Sequence, residues 1–354
     1  MSRSSVDASV RDAGYAPETP LAGGISNVRG GHTFYAQGSF DHESVAYGAS
    51  VGKQFTGACA AMLARDRILD VDSPIGEWLP ELPAWSMRVR VRHLIHHTAG
   101  LPDVWPHMQQ LRESSWTSTG VLAALAETPD LDCEPGSSYA YSNVGYICLA
   151  FIIERINGVP FTEFVRTRIF EALGMPRTTL WSGPAPSPPA ARLPPDPDQP
   201  AALSLGDGGI WTTVSDLLRW NDALLADELG VSARMHTPGA LDDGTSLDYA
   251  WGVRVFKESG QTVQSHGGDW GNRAGGRGFR SRGSQAVGGR RAPSSLNHST
   301  RSVLPSSLEA SRFDPLALGR TNTPASPTDH ACSPSDTSPP LPRARDTAFA
   351  ASFP

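Results

Sequence analysis

Ala49-Ser50-Val51-Gly52-Lys53-Gln54-Phe55-Thr56 carries the pattern from which the rest of the chain can be organised. Val51, Phe55, Cys59 and Met62 recur at helical spacing, so a helix begins near Ser50 and ends near Asp66, before Asp72-Ser73-Pro74 breaks the pattern. On a helix, positions i and i+3 share a face, which makes the Ser50 hydroxyl and the Lys53 amine neighbours. A serine at a helix start also sits close to backbone N–H groups and the positive dipole end, which favour developing negative charge. A buried lysine beside it can lose its proton and serve as a base. The plainer reading of the same residues is an N-cap serine and a solvated lysine.

Composition sharpens the choice. The chain has 354 residues, 39% apolar and 19% charged, with a formal charge of −6, so nothing in its charge balance points to a nucleic-acid partner. It holds only two lysines, Lys53 and Lys257, against 28 arginines. Arginine cannot replace lysine where a deprotonatable amine is needed, because guanidinium stays charged. The four cysteines (Cys59, Cys133, Cys148, Cys332) show no CxxC pair and no metal spacing, and are expected to be small buried hydrophobes without a disulfide framework. Met1 to Pro20 lacks the apolar stretch of an export signal, and no run is long and apolar enough to span a membrane. The expectation is a cytoplasmic protein that uses no membrane and no cofactor.

Outward from Ser50, residues 1–22 read as a polar arm and Ile25 to Ala36 as a hairpin turning at Arg29-Gly30-Gly31. The middle is mainly helical: Val89 to His97, Val121 to Ala126, Val144 to Ile156, and an amphipathic Phe161 to Leu173 stopped by Gly174. Thr213 and Asp216 predict a capped helix running to Leu225. Tyr249 to Phe256 and Thr262 to His266 read as strands. Strands therefore lie at both ends of the folded part, with helices between them.

Two further groups have chemistry to offer. Tyr141-Ser142-Asn143 directly precedes an apolar helix, so its side chains are free at a loop or first turn. A tyrosine there can shuttle protons, and an asparagine can hold a lysine and a substrate amide together. His266-Gly267-Gly268 closes a strand, and its glycines allow a substrate backbone to approach. The next N–H, on Asp269, is placed to pair with the N–H of Ser50 as an oxyanion hole. Taken singly, these are a helix cap with a packed aromatic and a glycine turn with an incidental histidine. His93, His96 and His97 have helical spacing that could suit a metal, but no acidic partner lies within the motif.

The three groups in this order resemble the serine β-lactamase and DD-peptidase superfamily, in particular the class C-like branch that includes esterases. That branch carries S-x-x-K, then Y-x-N, then K-T-G or H-x-G on a strand. The flanks agree: Arg92-His93-Leu94-Ile95-His96-His97-Thr98-Ala99-Gly100-Leu101-Pro102, Phe170-Glu171-Ala172-Leu173-Gly174-Met175 and Gly208-Gly209-Ile210-Trp211-Thr212-Thr213. The resemblance runs from about Gly24 to Trp270. It implies an α+β fold, an antiparallel sheet flanked by helices with an all-helical insertion and the site between them. It implies Ser50 as nucleophile and Lys53 and Tyr141 as proton carriers. Asn143, His266, Gly267, Gly268 and Asp269 would contact the substrate, a small ester, amide or β-lactam, with no metal. His266 would stand where many relatives have lysine.

The C-terminal part departs from that pattern. Relatives continue after the His-Gly-Gly strand with two antiparallel strands and a helix, whereas residues 272–354 carry 11 arginines against 5 acidic residues and no sustained apolar period. The change has the look of a shifted reading frame. The expectation is a hydrolase domain over residues 23–271 that lacks its C-terminal strands, followed by a disordered basic tail. The strand ending at His266 would then be an open edge. Two functions follow: an active acyl-enzyme hydrolase, or an impaired homologue retained at most as a binding protein.

Overall fold

The structure, a computed structural model, describes residues 16–26, 31–104, 116–185, 187–192, 202–258 and 260–268, and the backbone of strands 280–285 and 348–352. The N-terminal hairpin forms as expected but starts earlier. Strand β1 (Leu21–Ser26) pairs antiparallel with β2 (His32–Gln37), with Gly24 opposite Phe34. After β3 (Ala46–Tyr47), one 3-10 turn over Ala49–Val51 leads into helix α1 (Gly52–Arg65). Helices α2 (Val91–Ile95), α3 (Ser118–Ala126) and α4 (Asn143–Asn157) follow. Helix α5 (Phe161–Val165) widens into a π-helical stretch over Arg166–Glu171, so the predicted amphipathic helix is not a uniform α-helix. Gly174, at φ +67°, stands just past its end, as predicted.

Short strands β4 (Thr179–Leu180) and β5 (Ile210–Thr212) form a second sheet with β3, in the order β3-β5-β4. The Thr213 hydroxyl accepts the Asp216 N–H and caps α6 (Val214–Leu225), which packs against β1. The one-turn helix α7 (Ser232–Met235) lies against α1.

Helix α1 is the axis of the core. Every residue from Gly52 to Leu63 is buried, and Phe55 packs between Phe170 and Trp220 at ring-centroid distances of 5.4 and 4.6 Å. Its small residues let other backbone come close. At Gly252, which has φ +87°, an added Cβ would lie 2.3 Å from the Lys53 carbonyl oxygen. That close turn explains a departure from the sequence reading. Tyr249 to Val253 is not strand but a turn closed by the Ala250 N–H bonding to Val253 O at 2.8 Å, and β6 begins only at Arg254 (Arg254–Glu258).

The larger departure concerns the C-terminal part. Strand β7 (Gln261–Gly267) pairs with β6 on one side and, on the other, antiparallel with β8 (Arg280–Gln285), which places His266 opposite Ser281. Strand β9 (Ala348–Ser352) lies between β8 and β1, parallel to both, and completes a six-stranded sheet in the order β2-β1-β9-β8-β7-β6. The expectation of missing strands and of an open edge at His266 is therefore corrected. Ladder bonds are made by backbone groups, so a polar, arginine-rich segment with no apolar alternation can still supply them. The rest of the predicted tail, and residues 1–15 of the predicted arm, lie outside the described residues.

Cys59 and Cys148 are buried and free, as expected, but Cys133 is disulfide-bonded, against expectation. No single helix among the described residues is long and apolar enough to cross a membrane.

Candidate active site

Ser50 stands on the 3-10 turn ahead of α1, half-buried, directly after Ala49. Ala49 has φ +44°, a left-handed conformation that costs a residue with a Cβ about 1–3 kcal/mol and persists only when the surroundings impose it. The imposing contacts are visible. The Gly48 N–H bonds to Ile210 O at 2.8 Å, and the end of β7 presses on the same turn. A Cβ on Gly268 would lie 2.0 Å from Gly48 O, so only glycine fits there.

Lys53, one helical turn on, is fully buried. Its Nζ lies 3.1 Å from Ser50 Oγ, 2.6 Å from Asn143 Oδ1 and 2.7 Å from the Asp207 carbonyl oxygen. Asn143 is the first residue of α4, whose cap is the Ser142 hydroxyl accepting the Gly145 N–H at 3.2 Å. That cap fixes where the helix starts and so brings the Asn143 amide to Lys53. The Tyr141 ring centroid is 5.0 Å from Lys53 Nζ, and its side chain is 44% exposed, which leaves it facing the open side.

His266, near the end of β7, is buried. Its Nδ1 is 2.6 Å from Gly267 O and its Nε2 3.1 Å from the Tyr249 hydroxyl. Burial, and after it the Lys53 charge, push its pKa down to about 3. The side chain is thus a neutral imidazole at neutral pH, not a cation. Its ring centroid is 6.3 Å from that of Tyr141.

The fold thus brings Ser50, Lys53, Tyr141 and Asn143 together, with His266 and Gly267 beside them at the end of β7 and Gly268 just past it. Asp269, the expected second oxyanion donor, lies outside the described residues. The three clustered histidines do not converge. His93 Nδ1 accepts the Arg90 N–H, His96 Nδ1 faces Tyr249 O at 3.3 Å, and His97 Nδ1 accepts the Ser142 N–H. No group of three or more metal-ligating side chains forms among the described residues.

Three contributors escaped the sequence reading. Asp207 gives its backbone carbonyl to Lys53, while its buried carboxylate accepts from Ser204 Oγ at 2.6 Å. Burial raises the pKa of that carboxyl, and the Lys53 charge and the Ser204 bond oppose the rise. The glycines around it, Gly206, Gly208 and Gly209, were the available signal. Tyr249 and His97 are the others, and neither belongs to a motif of catalytic type.

The family model described as Beta-lactamase matches residues 21–282, a span that contains the whole cluster and reaches into β8. The chain belongs to the beta-lactamase family. Within that family it is 28% identical over 262 residues to penicillin-binding protein 4* of Bacillus subtilis (strain 168), covering 63% of this chain and 55% of the relative. It is also 28% identical over 236 residues to a D-aminopeptidase of Brucella anthropi, covering 62% and 44%. The chain spans about half the length of the curated relatives it matches. Among solved structures, the D-amino acid amidase from Ochrobactrum anthropi SV3 superposes with a TM-score of 0.60 at 23% identity, covering 74% of this chain and 83% of that one. The octameric penicillin-binding protein homologue from Pyrococcus abyssi gives 0.60 at 18%, covering 76% and 68%. At these identities the two superpositions speak for the beta-lactamase fold alone.

Proposed function

We propose that this member of the beta-lactamase family is a serine hydrolase that forms an acyl-enzyme on Ser50 and acts on small amides or esters. The observation that carries the reading is the environment of Lys53 Nζ. Two of its three neighbours, Asn143 Oδ1 and Asp207 O, can only accept, and they take two N–H bonds. A neutral amine has two such hydrogens, and its lone pair then faces the remaining neighbour, Ser50 Oγ, at 3.1 Å. In that state it takes the hydroxyl proton as Oγ attacks the carbonyl carbon.

The tetrahedral oxyanion forms beside the Ser50 N–H, on the turn that leads into α1, where the helix end favours negative charge. Collapse breaks the bond to the leaving amine or alkoxide, which takes its proton through Lys53 and Tyr141. Water then enters on the open side and attacks the acyl carbon while its proton passes to Tyr141 and Lys53; the bond from that carbon to Ser50 Oγ breaks, Oγ takes the proton back, and the acid leaves. Neutral His266 and the glycines after it shape the wall against which the acyl group lies.

The names of the relatives, penicillin-binding protein and D-aminopeptidase, add weight to amides over esters. The alternative, an impaired homologue, rests on the departure of the C-terminal part from the family pattern, and the pairing of β7 with β8 speaks against one consequence of that departure, an open edge at β7.

A fluorophosphonate or a fluorescent penicillin, applied to the purified full chain, tests the proposal. Mass spectrometry should find a single adduct, on Ser50, and none on Ser50→Ala. An adduct elsewhere, or full labelling of Ser50→Ala, overturns it.

A further inference from the structure

His97 has a place in this site that no motif assigns. It lies just beyond α2 with φ +58°, a left-handed conformation that costs a non-glycine residue about 1–3 kcal/mol. Its side chain is 1% exposed and is ringed by Tyr139, Tyr141, Tyr146 and Tyr249, the nearest centroids being those of Tyr141 and Tyr249 at 4.4 Å. Both chain neighbours of Tyr141 bond to this one residue. The Ala140 N–H donates to the His97 carbonyl oxygen at 2.8 Å, and the Ser142 N–H donates to His97 Nδ1 at 3.1 Å.

Packing alone does not call for a histidine there. Because Nδ1 accepts, the ring proton sits on Nε2, and that buried N–H has no hydrogen-bond partner among the described residues. An apolar side chain would fill the same space without orphaning a donor. What the imidazole adds is the acceptor for the Ser142 N–H. Burial, and after it the Lys53 charge, push the pKa of the ring well below the ordinary histidine value, so the lone pair on Nδ1 persists at neutral pH.

We infer that His97 is a positioning residue: it clamps the backbone on both sides of Tyr141 and, through ring contact, holds the Tyr141 hydroxyl where a proton must pass. The inference rests on the acyl-enzyme reading of the site. Tyr141 is an exposed loop side chain, and a shift of about 1 Å in such a group can cost about 10²-fold in rate.

The test uses the full chain and p-nitrophenyl acetate. His97→Leu should lower kcat about 10²-fold with little change in KM. His97→Asn should restore kcat to within about threefold, because its amide oxygen falls near the Nδ1 position and asparagine tolerates the left-handed backbone. In a Tyr141→Phe background, His97→Leu should cost less than about threefold, since the group it positions is already gone. Equal losses in both backgrounds, or an Asn variant as poor as the Leu variant, would overturn the inference. If His97→Leu does not fold, His97→Gln takes its place, as its oxygen reaches the Nε2 rather than the Nδ1 position.

Amide exchange at Ser142 judges the clamp without turnover. It should be slow in the wild type and in His97→Asn, and fast in His97→Leu or His97→Gln. Unchanged exchange overturns the clamp. An inactive wild type with the expected exchange pattern would instead sink the hydrolase reading and leave the clamp standing.

Discussion

Tyr249 and His266 meet side to side, with the Tyr249 hydroxyl 3.1 Å from His266 Nε2. The other ring nitrogen, Nδ1, faces the Gly267 carbonyl oxygen, which can only accept. Nδ1 therefore carries the proton. In the neutral ring Nε2 has a free lone pair, and the Tyr249 hydroxyl donates to it. The wall of the site at this point is an uncharged pair of rings.

Acid stability should reveal that neutrality. The folded-state pKa of His266 is about 3, below the ordinary value of 6.5 that the unfolded chain shows. The unfolded state then binds the extra proton between those values. The contribution is fully present above pH 6.5 and is lost as pH falls towards 3. The shift corresponds to at most about 5 kcal/mol. His96, held at about 4 by burial, adds in the same direction. Urea midpoints should fall steeply between pH 7 and pH 4, and less steeply in His266→Asn. Identical slopes for the two proteins would show that His266 is not buried as a neutral ring.

Replacing Lys53 by arginine should be nearly as damaging as replacing it by alanine. Guanidinium cannot take the Ser50 proton, and its planar fork does not match three oxygens gathered around one nitrogen. Loss of a proton-transfer group costs about 10²–10⁴-fold in rate. Acylation rates of the two variants, measured with the same fluorescent penicillin, make the comparison. Retention of most activity in Lys53→Arg would mean that positive charge alone suffices.

Gly268→Ala should impair acylation more than it impairs folding. The new Cβ would lie 2.0 Å from Gly48 O, so the end of β7 must move away from the Ser50 turn. Overpacking of this kind costs about 1–3 kcal/mol, which a domain of this size can survive. The expected outcome is a cooperative thermal transition with slow or absent labelling of Ser50. Labelling at the wild-type rate would show that the close approach of β7 to Gly48 has no bearing on the nucleophile.

Phe55→Ala should destabilise the protein by about 3–5 kcal/mol, because the ring fills the space between Phe170 and Trp220 in the wholly buried face of α1. Denaturant unfolding measures it. A cost under about 1 kcal/mol would mean that neighbouring side chains collapse into the space.

Hydrogen exchange separates the observed sheet from the one expected from composition. With β8 paired to β7 and β9 paired to both β8 and β1, the amides of β7 should exchange slowly on both edges. Two protected segments, 280–285 and 348–352, should stand out in the C-terminal part. Fast exchange across both would restore the open edge at His266.

Local pattern determined the elements nearest the chemistry. The apolar stripe from Val51 to Met62 places Ser50 and Lys53 one turn apart, and the Ser142 cap puts Asn143 at the start of an apolar helix. Those relationships span three or four residues, so periodicity and capping alone decide them. Tertiary structure decided the rest, because the partners lie far apart in the chain. Asn143 reaches Lys53 across 90 positions and Asp207 across 154. The histidine run offered three equivalent rings at helical spacing, and only packing assigned His97 to the Tyr141 loop, His96 to Tyr249 and His93 to Arg90. The C-terminal strands were illegible for a different reason. A ladder is built from backbone groups that every residue carries, so Arg280–Gln285 has no side-chain signature of the pairing it makes with β7.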